Sequence, residues 1–358
     1  MENHNPNIEV TCLSSKYDGT FSEMLDSIFE QLDRLPKSKI PVKLTFFTSA
    51  NNPVEYEFEL NAIQKNAFHF GIYTPVALIG QTPAGNNGLV LELITIETSN
   101  NNVDLLASPD SLLLKSNNQE ILFASVNSYT SKTFQENAEI AFQKLNIIMN
   151  NYQFNYVDVV RQWNYMQEIL HLDDENGVIK QNYQIFNDCR SLQYSSNNFI
   201  NGYPVATGIG TIIGGCCIEI VAIKGQGIDI LPVHNTRQID AHCYTEKVLV
   251  GNQHFEHMSK STPKFERAKI VRNSTFQMLL VSGTASIIGE KTVCKGDAAG
   301  QTQTTIDNIK ILLDSALVKC GCMQFKLLNF RAYIKHNTDL EAVKQVCNRA
   351  YDPNVGIF

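Results

Sequence analysis

Three short stretches carry the side chains best suited to chemistry: WNYM (Trp163 to Met166), FNDCR (Phe186 to Arg190) and YPVATGIGT (Tyr203 to Thr211). The last gathers an aromatic ring, a proline and two glycines, a composition that turns a backbone tightly beside something flat. Taken singly, each residue has a plainer reading. Trp163 and Tyr165 alternate, so they share one face of a strand and read as core aromatics. Arg190 reads as half of a surface ion pair, and Tyr203 before Pro204 as the edge of a turn. Gly208-Ile209-Gly210 has the look of a dinucleotide loop, but that fingerprint must open a helix. The segment that follows, TIIGGCCIEIVAI, is β-branched and strand-like, which excludes it. His254 and His257 would hold a metal only on a helix. Gly251, Asn252 and Gln253 precede them and no third ligand stands out, so a solvent-exposed loop is expected. Cys320 and Cys322 are one residue apart, which is not structural-zinc spacing.

Composition narrows the classes. With 358 residues the chain is long for one domain. A formal net charge of -7 argues against nucleic acid as the main partner. An anionic small molecule remains compatible, because two well-placed arginines outweigh a mildly negative surface locally. The polar start MENHNPNIEV is not a signal peptide, and no apolar stretch spans a bilayer. The nine cysteines are an odd number, and Cys216 and Cys217 lie in an apolar run. They read as reduced thiols of a cytoplasmic protein.

The elements that must position these residues follow from periodicity. A short helix is expected over Phe21 to Leu32, and strands at VKLTFF (from Val42), YEFEL (Tyr56 to Leu60) and GLVLELITIET (Gly88 to Thr98). Then come strand ILFASV, a helix with Phe134, Ala138, Ala141, Phe142, Leu145, Ile148 and Met149 on one face, and strand VDVVRQWNYM. The order returns as strand MLLVSGTASII (Met278 to Ile288), helix Thr302 to Leu317 and strand FKLLNFRAYI (Phe325 to Ile334). Sliding one copy on the other sets Leu145 over Ile309 and Tyr165 over Tyr333, evidence for an internal duplication. The first copy continues into the buried strand CCIEIVAIK with its carboxylate Glu219. The counterpart of Glu219 falls about 30 residues beyond Phe358, so the second copy is expected to lack its last strand. The expected division is 1–118 as an N-terminal domain, 119–224 as the first unit, 225–276 as a loop-rich connection and 277–358 as the second unit. The connection holds His234, His242, His254 and His257 and the segment FERA (Phe265 to Ala268).

In this order WNYM, FNDCR, YPVATGIGT, FERA, LLVSGTASIIGE, then GD and AGQTQTTIDNI, the chain resembles the chorismatase family, chorismate-cleaving hydrolases of the Rid/YjgF-like superfamily. The resemblance covers most of residues 120 to 358. It implies an α+β fold. Two Rid-like, chorismate-mutase-like βαβ units carry helices on one face of their sheets, beside a smaller N-terminal α/β region. It implies release of pyruvate from chorismate, giving a hydroxybenzoate or a dihydroxycyclohexadiene carboxylate, in secondary metabolism or pigment biosynthesis. No metal or organic cofactor is implied. The implied site residues are Tyr165, Arg190, Tyr203, Arg267, Gly208, Gly210 and Thr284. The arginines would grip carboxylates, the tyrosines would offer hydroxyl tips on flat bodies, and the glycines would let backbone approach the ligand. The pocket is expected between the units, near Tyr165, Arg190 and Tyr203. The family carries its catalytic glutamate on a strand past this chain's last residue, and usually has His where Glu290 stands. A carboxylate binder without turnover and an imine-deaminase-like hydrolase are therefore alternatives. The partner is a small-molecule carboxylate, and the protein is a monomer or, as Rid relatives are, a homotrimer.

Overall fold

The computed structural model describes residues 7–15, 19–85, 88–97, 103–116, 119–130, 132–175, 178–245, 260–274, 276–322 and 324–351. His254 and His257 lie outside them.

The N-terminal region comprises β1 (Asn7–Ser14), α1 (Phe21–Asp33), β2 (Lys39–Thr48), α2 (Pro53–His69), β3 (Val76–Ile79) and β4 (Leu89–Glu97), with sheet order β1-β4-β2-β3. A capping box of Thr20 and Glu23 starts α1 where the sequence places a helix. YEFEL is a correction: it lies inside α2, not in a strand. Asn52 caps that helix and Pro53 occupies its first turn. Tyr56, Glu59, Ile63 and Ala67 then bury one face at helical spacing. Five alternating residues fit either period, and the cap decides.

A second sheet follows: β5 (Asp104–Ser108), β6 (Ser111–Ser116), β7 (Gln119–Ser128), α3 (Phe134–Asn151), β8 (Val159–Gln167), β9 (Leu172–Glu175), β10 (Val178–Gln181), α4 (Asn182–Tyr194), β11 (Val205–Thr211) and β12 (Cys216–Gly225). Its order is β11-β8-β12-β7-β6-β5, with β11 parallel to β8 and β12 antiparallel to both neighbours. The hairpin β5–β6 extends this sheet rather than the first one. FNDCR is helical, in α4.

The layers run helix, sheet, sheet, helix. Helices α1 and α2 cover the outer face of the first sheet through Leu25, Ile28, Phe29, Tyr56 and Ile63. The sheets meet through Val42, Ile96, Leu112, Leu114 and Phe123. The predicted stripe of α3 packs with Phe186 and Tyr194 of α4 on the far face of the second sheet. Between β3 and β7 the Asn127 amide stands in for a peptide group. Its Oδ1 accepts from Leu78 N at 3.3 Å and its Nδ2 donates to Val76 O at 3.0 Å.

The last part of the chain comprises β13 (Asp229–Val233) and β14 (Ala268–Arg272), which fall in the expected loop-rich connection, and β15 (Gln277–Val281), α5 (Ala298–Cys320) and α6 (Leu340–Ala350) of the expected second unit. Its three strands pair in the order β13-β14-β15 beneath Leu312 and Ala316 of α5. Two expectations are corrected here. The strand at 278–288 stops at Val281, and SGTAS continues without strand pairing. Residues 325–334 form no strand, only a bridge position at Phe330. The reason is pairing. In the first unit the equivalent strand, β8, sits between β12 and β11. Among the described residues 325–334 has no such neighbours, and an alternating sequence without neighbours cannot close a ladder.

Candidate functional site

A cavity of about 2680 Å³ opens between the two units. It is lined by β15 and SGTAS on one side, 324–336 on another, and α4, β8 and β11 on a third. The cavity exceeds the ~300–1,000 Å³ of an ordinary small-molecule pocket, so a ligand would occupy one wall of it.

The wall formed by α4 and FERA is cationic. Arg190 is 3% exposed. It donates from Nη2 to Asn187 Oδ1 at 2.6 Å, lies over the Phe186 ring and leaves Nε without a hydrogen-bond partner among the described residues. Arg267 is equally buried. It donates from Nη2 to Ile239 O at 2.5 Å and to the Tyr244 hydroxyl at 2.7 Å, and its Nε is unpartnered too. Among the described residues neither guanidinium pairs with a carboxylate. Tyr183 links them: burial raises its phenol, while Arg190 and Arg267 pull it down and Tyr244 pushes it up. Lys264 adds a cation, lowered first by burial and then by the charge of Arg190. Buried positive charge without a counterion costs folding energy and suits a ligand that brings the anion.

The other expected residues are spread around this wall. Gly208 and Thr284 line the same cavity. An added Cβ at Gly208 would come 3.1 Å from Met166 Cε and 3.5 Å from the Tyr183 ring. Gly210 packs on Ile169, where a Cβ would lie 2.5 Å from Cγ2. Tyr165 lies further along β8, in the contact with the first sheet, where it meets Phe47 edge-on. Its hydroxyl receives a hydrogen bond from Arg331 and lies 3.4 Å from the hydroxyl of Tyr333. Tyr203 stacks with Tyr194 and packs on Phe199 and His242, outside the cavity lining. Arg190, Arg267, Gly208 and Thr284 thus share one hollow, while Tyr165 backs it and Tyr203 stands beside it.

The sequence reading passed over Arg161, Tyr183, Tyr244, Glu92 and Arg331. Arg161 lines the cavity from β8, stacks on Trp163 and donates to Thr207 Oγ1 at 2.6 Å. Burial, with Arg331 adding to it, lowers its pKa to about 9. Glu92 is chelated by Arg331 and receives a hydrogen bond from Asn329 at 3.0 Å. Burial alone would raise this carboxyl, but the charge and hydrogen bonds of Arg331 prevail and hold it at about 2. A charge inside an alternating apolar strand was the available signal for Arg161 and Glu92. Tyr183 and Tyr244 carried none.

Glu219 does not reach the cavity. It is fully buried between the sheets, 2.8 Å from Lys43 Nζ and 2.7 Å from Thr45 Oγ1. Glu290 lines the cavity and accepts from Thr245 N and Oγ1 at 2.9 and 2.8 Å.

The geometry defines a mixed α+β protein with a cleft suited to a small anion. Residues 106–222 match the family model for chorismatase FkbO/Hyg5-like, N-terminal. A 3-hydroxybenzoate synthase of Streptomyces hygroscopicus is 25% identical over 219 residues, 57% of this chain and 59% of the relative. A chorismatase of the same organism is 29% identical over 150 residues, 40% of each. The chain thus spans about half the length of the curated relatives it matches. The crystal structure of a chorismatase aligns with a TM-score of 0.68 at 16% identity, over 99% of this chain and 94% of that one. The chain is thus similar to chorismatases over the stretch that holds WNYM, FNDCR and YPVATGIGT, and it shares the fold of one. Among the described residues no helix is long and apolar enough to cross a membrane.

Proposed function

We propose that this protein binds chorismate, or a closely similar cyclohexadiene dicarboxylate, on the Arg190–Arg267 wall and cleaves its enolpyruvyl ether. The products are pyruvate and a hydroxybenzoate or dihydroxycyclohexadiene carboxylate. The observation that carries this reading is the pair of buried guanidiniums lining one cavity, each with an Nε that has no hydrogen-bond partner among the described residues. Each carboxylate of the ligand would take charge-assisted hydrogen bonds worth about 1.5–3 kcal/mol apiece. Tyr183 and Tyr244 would meet the ring's polar edges. Cleavage needs a proton delivered to the vinyl-ether carbon or to an acidic ring position. The nine free cysteines support a cytoplasmic setting.

A second reading, binding without turnover, is favoured by Glu92. This carboxylate lines the cavity but is held ionised by Arg331, so it is no proton donor at neutral pH. The two separate in one experiment with chorismate, following pyruvate release and thermal stabilisation together. Turnover lost in Arg190→Ala supports cleavage. Stabilisation lost in Arg190→Ala, without pyruvate from the wild type, supports binding alone. Neither response from the wild type rejects both.

A further inference from the structure

Beside the cavity, three side chains from different parts of the 225–276 connection converge without a role in the reaction above. His234 follows β13, Asp240 precedes the turn at 241–243, and Glu266 precedes Arg267. Each offers one ligand atom, and these three atoms lie within 4.8 Å of one another. His234 Nδ1 is 3.0 Å from Asp240 Oδ2. Glu266 is 3% exposed. Its Oε1 accepts from Tyr203 N at 3.0 Å, and its Oε2 is buried without a hydrogen-bond partner among the described residues. Asp240 Oδ1 is buried and unpartnered as well. Two orphaned carboxylate oxygens in one cluster are costly unless something positive satisfies them. Lys269, the neighbouring ammonium, donates to Gly202 O at 2.9 Å instead.

We propose that His234, Asp240 and Glu266 form a binding site for a divalent cation of the zinc type, separate from the carboxylate-binding wall. One imidazole nitrogen with two carboxylates suits Zn²⁺ or Mn²⁺ better than the all-oxygen shells of Ca²⁺ and Mg²⁺. Ligand atoms around Zn²⁺ sit at about 2.0–2.2 Å, so the three side chains need only close inward slightly, leaving a fourth position for water. None of the three lines the cavity. The ion's role is mechanical: it ties the 234–244 segment to the residue before Arg267. That segment supplies both groups that hold the Arg267 guanidinium, Ile239 O and the Tyr244 hydroxyl.

The test uses the full chain, freed of metal by a chelator and titrated with Zn²⁺ by calorimetry, with Co²⁺ as a coloured probe. The expected result is one Zn²⁺ per chain and a rise in melting temperature on adding it. The Co²⁺ spectrum should show nitrogen and oxygen donors without a thiolate charge-transfer band. His234 is 58% exposed, so His234→Ala leaves the core intact. Affinity should fall at least about tenfold in His234→Ala and in Asp240→Asn, with loss of the stabilisation. Absence of binding, undiminished binding in His234→Ala, or a thiolate band that disappears in the Cys320→Ser/Cys322→Ser double variant would each overturn the site. The readouts do not involve chorismate, so they stand or fall apart from the proposed reaction.

Discussion

The two segments that the sequence pattern sets over one another begin alike and end differently. In the first, β7, α3 and β8 are followed by α4, β11 and β12, and every strand finds a neighbour. In the second, β15 and α5 lead into 325–334, which keeps the alternating pattern of a strand but, apart from a bridge position at Phe330, joins no ladder among the described residues. A strand is a relation between segments, and hydrophobic alternation alone does not make one. What holds 325–334 in place is side-chain chemistry: Asn329 and Arg331 grip Glu92 of the first sheet, and Tyr333 meets Tyr165. The first unit is held by its ladder and core. The second has a sheet and apolar clusters too, but its 325–334 stretch is tied across the cleft by an ion pair.

That contrast can be broken at its strongest point. Arg331→Ala strands Glu92 as a buried unpaired carboxylate, and the loss should be about 3–5 kcal/mol in chemical denaturation. A loss under about 1 kcal/mol would show that the tether carries no load. In the first unit, Leu145→Ala removes a side chain with no exposure from α3 and should cost about 2–5 kcal/mol. Acid adds a graded test. The Glu92 carboxyl is depressed from the ordinary 4.5 to about 2. Its contribution is therefore complete above the unfolded value and is lost as pH falls from about 4.5 towards 2. Denaturation midpoints across that window should drop in the wild type, and this part of the drop should be missing in Glu92→Gln. The smallest effect is expected from Ile309→Ala, the counterpart of Leu145. Ile309 borders the cavity and is only partly buried, so the cost should be about 1 kcal/mol. Equal costs at Leu145 and Ile309 would erase the distinction between the units.

Much of the fold was legible because periodicity reports burial. The stripe of α3 and the strands β7, β8 and β12 could be traced residue by residue. YEFEL misled because five residues fit two periods, and the deciding cap lay outside them. The strand at 325–334 misled because pairing partners are not a local property. At the candidate site, Arg190, Arg267, Gly208 and Thr284 stand in the stretches the sequence singled out, and all four line one cavity. Tyr165 shares its face of β8 with Trp163 and Arg161, but it lies further along the strand, against Phe47, where the cavity no longer reaches. Arg161 on that same strand lines the cavity and was passed over.

Asn127 closes the gap between two sheet edges with a single side chain. Val76 and Leu78, which it serves, are almost fully buried, so their main-chain groups have no water to fall back on. A hydrocarbon side chain there would leave a short, flat, apolar ribbon seeking any other backbone, and chains would recruit one another. One amide therefore guards against self-association as well as joining the sheets, and its loss would be felt first as turbidity during folding.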